Sequence, residues 1–91
     1  MFVVLCKDSP SCKSLRDYYL KSQSDYMNSG KADIIMSGPL SDANGPAGSM
    51  IIINDKSIEI VQTFIKNSPF SKFNIWDDIK ILTFINYANN K

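Results

Sequence analysis

The chain has 91 residues, a length that predicts a single domain, residues 1–91, with a modest core. Its net charge of +1 leaves no basic surplus for nucleic acid, and no apolar run is long enough to span a membrane. Two cysteines without a secretion signal predict reduced thiols and a cytoplasmic protein, and the lack of histidine leads us to expect no metal and no cofactor.

The start of the chain predicts a strand followed by a helix. Residues 2–6 form a continuous apolar run, typical of a strand that is covered on both faces. Ser9 and Pro10 suit the N-cap and the first position of a helix, which we expect over residues 10–28 with Gly30 as its C-terminal cap. The apolar side of this helix is predicted to contain Leu15, Tyr19, Leu20, Tyr26 and Met27.

The middle of the chain predicts two strands joined by a polar loop. Residues 32–37 and 49–53 are apolar runs with strong strand propensity. Gly38 and Pro39 are predicted to end the first strand, and residues 41–48 are dense in turn formers. The glycines of this segment are expected to serve turns, since their spacing is not that of a phosphate-binding loop: Gly38, Gly45 and Gly48.

The last third predicts a second helix and a final strand. Ser57 suits the N-cap of a helix over residues 58–67, which has apolar residues at helical spacing. Residues 68–70 are predicted to end that helix, because they contain a proline. Residues 76–78 are interpreted as a loop, and residues 79–85 as a strand that is mostly apolar on both faces.

The predicted order β-α-β-β-α-β is the ferredoxin-like arrangement. It is an α+β fold with a four-stranded antiparallel sheet and two helices on one face. Because the strands are apolar on both faces, the second face would expose a large apolar patch unless something covers it. A second copy of the same sheet is the simplest cover, so we expect a homodimer through the sheet face. The alternative is a deeper core within one chain whose sheet is curled.

Several short motifs, taken in order, resemble the YCII-related domain family. They are the opening strand, Arg16-x-x-Tyr19-Leu20, Gly30, Ser37-Gly38-Pro39-Leu40 with Asp42, Gly45 with Gly48-Ser49, and Ser68-Pro69-Phe70. The resemblance covers nearly the whole chain and implies a ferredoxin-like domain that forms a dimeric α/β barrel with a small cleft. It further implies lyase- or isomerase-type proton transfer that uses a histidine and an aspartate.

The sequence departs from this family at both presumed catalytic positions. Tyr19 stands where the family has the histidine, and Ser68 where it has the aspartate. A tyrosine with an ordinary pKa of about 10 is a poor base near neutral pH, and a serine carries no charge to orient an imidazole. The candidate catalytic residues are then Tyr19, Ser68 and the hairpin carboxylate Asp42. The resemblance implies ligand contacts at Arg16, Gly38, Pro39 and Phe70.

Each candidate also has an ordinary structural interpretation. Arg16 would form a surface ion pair, and Tyr19 would be a core aromatic with its hydroxyl at the surface. Asp42 would bond its own turn, and Ser68 would simply precede a proline.

Two functions therefore stay open. The first is a family member that binds an unknown small molecule in a cleft, with or without lyase- or isomerase-type activity. The second is a non-catalytic dimerising or partner-binding module that keeps the fold alone. Polar groups that converge on a cavity of about 300 Å³ or more would favour the first.

Overall fold

The computed structural model describes residues 1–88. In this part of the chain, four strands and three helices follow one another as β1 (Phe2–Asp8), α1 (Lys13–Met27), β2 (Ile34–Asp42), β3 (Gly45–Ile53), α2 (Ile58–Lys66), α3 (Pro69–Lys72) and β4 (Trp76–Thr83). The strands form one sheet in the order β2-β3-β1-β4, and every neighbouring pair is antiparallel. The predicted ferredoxin-like α+β fold is confirmed, with a short third helix added to the two expected ones.

The β2–β3 hairpin is longer than the sequence predicts. The predicted stop at Gly38 and Pro39 is wrong, because β2 continues through both residues to Asp42 and pairs them with β3. β2 lies at the edge of the sheet, where a proline is tolerated because no further strand needs its missing N–H. The predicted polar loop shrinks to a turn at residues 43–44, followed by Gly45, whose φ of +106° favours glycine.

Helix α1 begins three residues later than predicted. Cys12 occupies its N-cap position and makes no side-chain cap, and the preceding Ser11 has a φ of 65° that redirects the chain. Ser9, the predicted N-cap, instead anchors the loop between β1 and α1 through two hydrogen bonds. Its backbone N–H donates to the Ile75 carbonyl at 2.8 Å, and its hydroxyl donates to the Asn74 carbonyl at 3.1 Å. These bonds tie the end of β1 to the segment that leads into β4.

The second half of the chain follows the prediction more closely. Ser57 caps α2 as expected, since its side chain accepts a hydrogen bond from the Ile60 N–H. That helix ends at Lys66 with Asn67 as its C-cap, and Ser68 caps α3. The loop interpretation of residues 76–78 is wrong, because β4 starts at Trp76, which pairs with Asp8 after a register shift that skips Asp77.

The inner face of α1 is more polar than its sequence pattern predicts. Leu15 and Leu20 are exposed, whereas the buried residues of the helix are Arg16 and Gln23. The core beneath the helices is otherwise apolar and joins the inner faces of β1 and β3 to α2. Buried polar side chains need hydrogen-bond partners. Arg16 and Gln23 therefore mark a part of the core that contains polar interactions as well as apolar contacts.

The outer face of the sheet, opposite the helices, carries an apolar patch. Successive strand residues point to opposite faces, so the neighbours of buried Val4 and Ile51 lie on the outer side. We call the apolar residues that the pairing places there the outer sheet patch: Val3, Leu5, Met36, Leu40, Met50, Ile52 and Leu82. Three of them are between 39% and 54% exposed.

Within residues 1–88, none of the helices has the length and apolarity needed to cross a membrane.

Candidate functional site

A cavity of about 210 Å³ lies between α1 and the inner face of β2 and β3. We call it the α1–sheet cavity. Arg16 and Gln23 reach it from α1, Ser49 from β3, and Phe70 and Trp76 from the chain around α3. Drug-sized ligands occupy about 300–1,000 Å³, so this volume suits a smaller molecule. The cavity is smaller than the volume of about 300 Å³ expected for a binding site. Polar side chains do converge on it, as that expectation requires.

Arg16 is fixed by three acceptors and one aromatic ring. Its Nη1 donates to Asp8 Oδ1 at 2.8 Å, and its Nη2 donates to the Gly48 carbonyl at 3.3 Å and to Ser49 Oγ at 3.4 Å. The guanidinium carbon lies 5.0 Å from the centroid of the Phe70 ring, within cation–π range. The side chains of Arg16 and Asp8 are only 11% and 9% exposed. The ion pair is therefore a buried one.

Asp8 was not singled out by its sequence. Burial raises the pKa of its carboxyl above the ordinary value, and the positive charge of Arg16 opposes that rise. A buried pair of this kind occurs at functional sites and in structural networks alike. The chain has nine acidic residues, and nothing local marks Asp8 as the partner of Arg16, because the pairing depends on how β1 ends beside α1.

Trp76 borders the α1–sheet cavity and carries an unusual polar group. Its ring packs edge-on against Phe70, with centroids 5.6 Å apart and planes at 85°. The residue is 5% exposed, and its Nε1–H is buried with no hydrogen-bond partner among residues 1–88. An unpaired buried donor costs about 1–3 kcal/mol, so such a group in a native structure needs an explanation. The interpretation of residues 76–78 as a loop missed this buried donor.

Gln23 adds a buried amide side chain to the same lining. Its Oε1 accepts a hydrogen bond from the Phe70 backbone N–H at 2.9 Å, which fixes the start of α3 against α1. Because the amide oxygen is engaged there, the Nε2 group is left as the donating end of this buried side chain. Gln23 was not part of the apolar side predicted for α1, and the sequence alone offers no reason to place it in the interior of the protein.

The structure brings the four predicted ligand contacts together. Arg16, Gly38, Pro39 and Phe70 all line the α1–sheet cavity. They come from α1, β2 and α3, which are far apart in sequence. Their assignment as ligand contacts stays a proposal, taken up below.

The three predicted catalytic residues lie outside that lining. Tyr19 stacks on Phe73, with ring centroids 4.0 Å apart, and borders a separate groove between α1 and α3. Asp42 is exposed, and its Oδ1 accepts from the Asn44 N–H at 2.8 Å, as in a local turn. Ser68 is fully buried, and its Oγ accepts from the Ser71 N–H at 3.4 Å. Their catalytic roles stay predictions.

The surroundings of both cysteines are typical of structural, unreactive thiols. Cys6 and Cys12 are both free and buried. Burial, aided by the nearby carboxylate of Asp8, raises the pKa of the Cys6 thiol to about 12, so this thiol is protonated at neutral pH. Across residues 1–88, no cluster of three or more Cys, Asp or Glu side chains is arranged to hold a metal ion.

The chain is similar to a known protein family and to solved structures of the same fold. The model of the YCII-related domain matches residues 1–85. The structure of 5-chloro-2-hydroxyhydroquinone dehydrochlorinase from Burkholderia phenoliruptrix AC1100, in complex with 2,5-dihydroxybenzoquinone, has a TM-score of 0.88 and 24% identity, and the match covers 99% of this chain and 98% of that chain. Likeness at this identity establishes the fold. No curated protein matches the chain.

The family model extends from the first strand past the end of β4. The resemblance drawn from the short motifs is therefore confirmed over the length of the fold. The chain belongs to the YCII-related domain family.

Proposed function

We propose that the chain binds a small polar molecule in the α1–sheet cavity. The observation that carries this proposal is the convergence of three buried polar side chains, Arg16, Gln23 and Ser49, on one cavity. Arg16, Gly38, Pro39 and Phe70 are the proposed ligand contacts. The dehydrochlorinase of similar fold is solved with a small ring compound, which supports a ligand of that size.

The proposal is for binding, because the cavity offers no obvious proton acceptor. Tyr19, Asp42 and Ser68 lie outside its lining, and Asp8 is committed to Arg16. Lyase- or isomerase-type chemistry stays a prediction that rests on the family resemblance.

Two phenylalanine substitutions on α1 test the proposed site. Ser24 borders the α1–sheet cavity, and Ser22 borders the groove that contains Tyr19. Both serines are exposed, so both substitutions are expected to leave the fold intact. We expect 2,5-dihydroxybenzoquinone to bind to the wild-type protein, to lose binding in Ser24→Phe and to keep it in Ser22→Phe. Isothermal titration calorimetry gives the affinities.

Trp76 provides an independent readout, because it is the single tryptophan and borders the cavity. Its fluorescence is expected to change on binding in the wild type and in Ser22→Phe only. Binding that survives Ser24→Phe and disappears in Ser22→Phe would place the ligand beside Tyr19 and overturn the proposal. The absence of any binding that Ser24→Phe abolishes, with the quinone and with a fragment library, would overturn it as well.

We also propose that a second copy of the chain covers the outer sheet patch. Leu82 is 50% exposed and Met36 is 54% exposed on the face of the sheet opposite the helices. A two-fold pairing of this face with itself would bury both residues on each copy. The monomer alternative, in which a curled sheet buries this face, is not favoured by these exposures.

Sedimentation velocity of charged variants tests the dimer. Leu82→Lys buries an unpaired charge at the proposed interface and is expected to weaken dimerisation by about 100-fold or more. Ile60→Lys is the matched control, because Ile60 is 53% exposed on α2, away from the sheet. A monomeric wild type, or a Leu82→Lys variant that dimerises as well as Ile60→Lys, would contradict this proposal.

A further inference from the structure

We infer that the groove between α1 and α3 docks an acidic peptide segment of a partner protein, which has an aromatic or aliphatic anchor residue among its carboxylates. We call it the α1–α3 groove, bordered by Tyr19 and Tyr26 of α1, Lys72 of α3 and the following Phe73. It shares no lining residue with the α1–sheet cavity. It lies on the helix side of the sheet, so a peptide there leaves the outer sheet patch free.

The first step is a set of aromatic rings that are held in place and still border the groove. Tyr19 stacks on Phe73, with centroids 4.0 Å apart and planes at 6°, and Phe73 stays 45% exposed. Tyr26 stacks on Phe64 at 4.7 Å, and its hydroxyl donates to the Phe64 carbonyl at 2.7 Å. Rigid aromatic side chains supply contact area at a low entropic cost, and they are enriched at protein interfaces.

The second step is charge. Lys31 and Lys72 are exposed and border the groove, and within residues 1–88 neither forms an ion pair. The described residues that line the groove include no aspartate and no glutamate. By contrast, the exposed Lys21 of α1 pairs with Asp25 at 2.9 Å. The net charge of the chain is only +1, so the positive excess is local to this groove and complements an acidic partner.

The third step is an adjoining hollow that continues the groove along α2. Three residues border both: Tyr26, Lys31 and Asn67. The far side of the hollow carries Ile60, which is 53% exposed, and Glu59. The Glu59 carboxylate repels an acidic group, whereas Lys72 attracts one. The carboxylates of the peptide are therefore expected at the α3 end of the groove.

The openness of the groove favours a peptide over a small molecule. Its volume is about 670 Å³, but Lys31, Lys72 and Phe73 are exposed at its border. Pockets for small molecules bury about 70–90% of the ligand surface, which a groove this exposed does not do. The side chains of Ser22 and Asn67 also border it, and neither makes a hydrogen bond within residues 1–88. Each can donate and accept, which suits the paired donor and acceptor of a peptide backbone.

Short peptides that vary charge and anchor separately test the inference. The probes are capped pentapeptides Glu-Glu-X-Glu-Glu, in which X is Phe, Tyr, Trp, Leu or Ile, titrated into the ¹⁵N-labelled wild-type protein. We expect at least one of them to bind and to shift the amide signals of Ser22, Asn67 and Phe73. Replacing its glutamates by glutamine, or X by alanine, is expected to weaken binding about tenfold.

A double variant with Lys31→Gln and Lys72→Gln tests the charge from the side of the protein. Both lysines are exposed, so the fold is expected to survive. We expect the double variant to bind the acidic peptide about tenfold more weakly than the wild type. Lys13→Gln is the matched control, because Lys13 begins α1, is exposed and does not border the groove. It is expected to leave the affinity unchanged.

Each other outcome overturns the inference. The first is that none of the five acidic peptides binds. The second is equal affinity for the glutamate and glutamine peptides, or equal affinity of the double variant and Lys13→Gln. The third is tighter binding of adenosine monophosphate, a small aromatic anion, with shifts of the same three amides, which would make the groove a small-molecule site.

Discussion

Replacing Gly48 by alanine is expected to cost about 3 kcal/mol or more of unfolding free energy, with a large loss of folded protein. A Cβ at this position would overlap the backbone carbonyl oxygen of Cys6 and lie 3.1 Å from its carbonyl carbon. Both atoms belong to β1, the strand that pairs with β3 and β4. Because β1 is held on both sides, it cannot move away without breaking those ladders.

Gly38→Ala is the matched control for this substitution. Gly38 lies in the same hairpin, and a Cβ there meets nothing within 4 Å. Its backbone is not in the left-handed region, so the change is expected to shift stability by less than about 1 kcal/mol. Urea denaturation of both variants measures the difference. A Gly48→Ala protein as stable as Gly38→Ala would show that the strands separate more easily than their packing implies.

Arg16→Met is expected to cost about 3–5 kcal/mol at neutral pH. The substitution leaves the Asp8 carboxylate buried without its cation, and it removes the donor to the Gly48 carbonyl. Lys21→Met is the control on the same helix. It breaks the Lys21–Asp25 pair, whose side chains are 88% and 67% exposed, and should cost less than about 1 kcal/mol. Equal effects of the two substitutions would contradict the buried pair.

The cost of Arg16→Met is expected to depend on pH. Burial already raises the pKa of Asp8 above its ordinary value of 3.8, and Arg16 opposes that rise. Without Arg16, the folded-state pKa lies higher still, so the folded protein keeps a proton that the unfolded chain has lost. Stability of the variant therefore falls as pH rises above 3.8 through that window.

Denaturation curves at several pH values measure this dependence. The deficit of Arg16→Met relative to the wild type should be small at low pH and largest at neutral pH. Adding Asp8→Asn to the variant should remove the dependence. A deficit that stays constant from about pH 4 to about pH 7 would contradict this assignment.

The element order was predictable because each signal is local. Continuous apolar runs predicted the strands, and Ser57 and Ser68 lie at the boundaries that their side chains favour. The stop predicted at Gly38 and Pro39 failed because the same dipeptide is compatible with an edge strand. Whether a strand lies at the edge depends on the pairing order of the whole sheet, which no single segment specifies.

The candidate site was predictable only where a family motif pointed to it. Arg16 and Phe70, which line the α1–sheet cavity, were selected in that way. Trp76 and Asp8 were not, because they become neighbours through the pairing of β1 with β4 across an irregularity. The polar inner face of α1 could not be predicted from the sequence either. Arg16 is tolerated inside because it finds acceptors at Gly48 and Ser49, more than thirty positions away along the chain.

The position of β1 in the sheet also bears on how the domain folds. Val4 pairs with Ile51 on one side and with Ile81 on the other, so the central strand draws both of its neighbours from distant parts of the chain. The β2–β3 hairpin, by contrast, is joined by a two-residue turn and forms from local contacts. Small domains dominated by distant pairings fold slowly, because the entropy of closing long loops is lost before those contacts stabilise the chain. The insertion of β1 between β3 and β4 is therefore expected to be the slow step of folding.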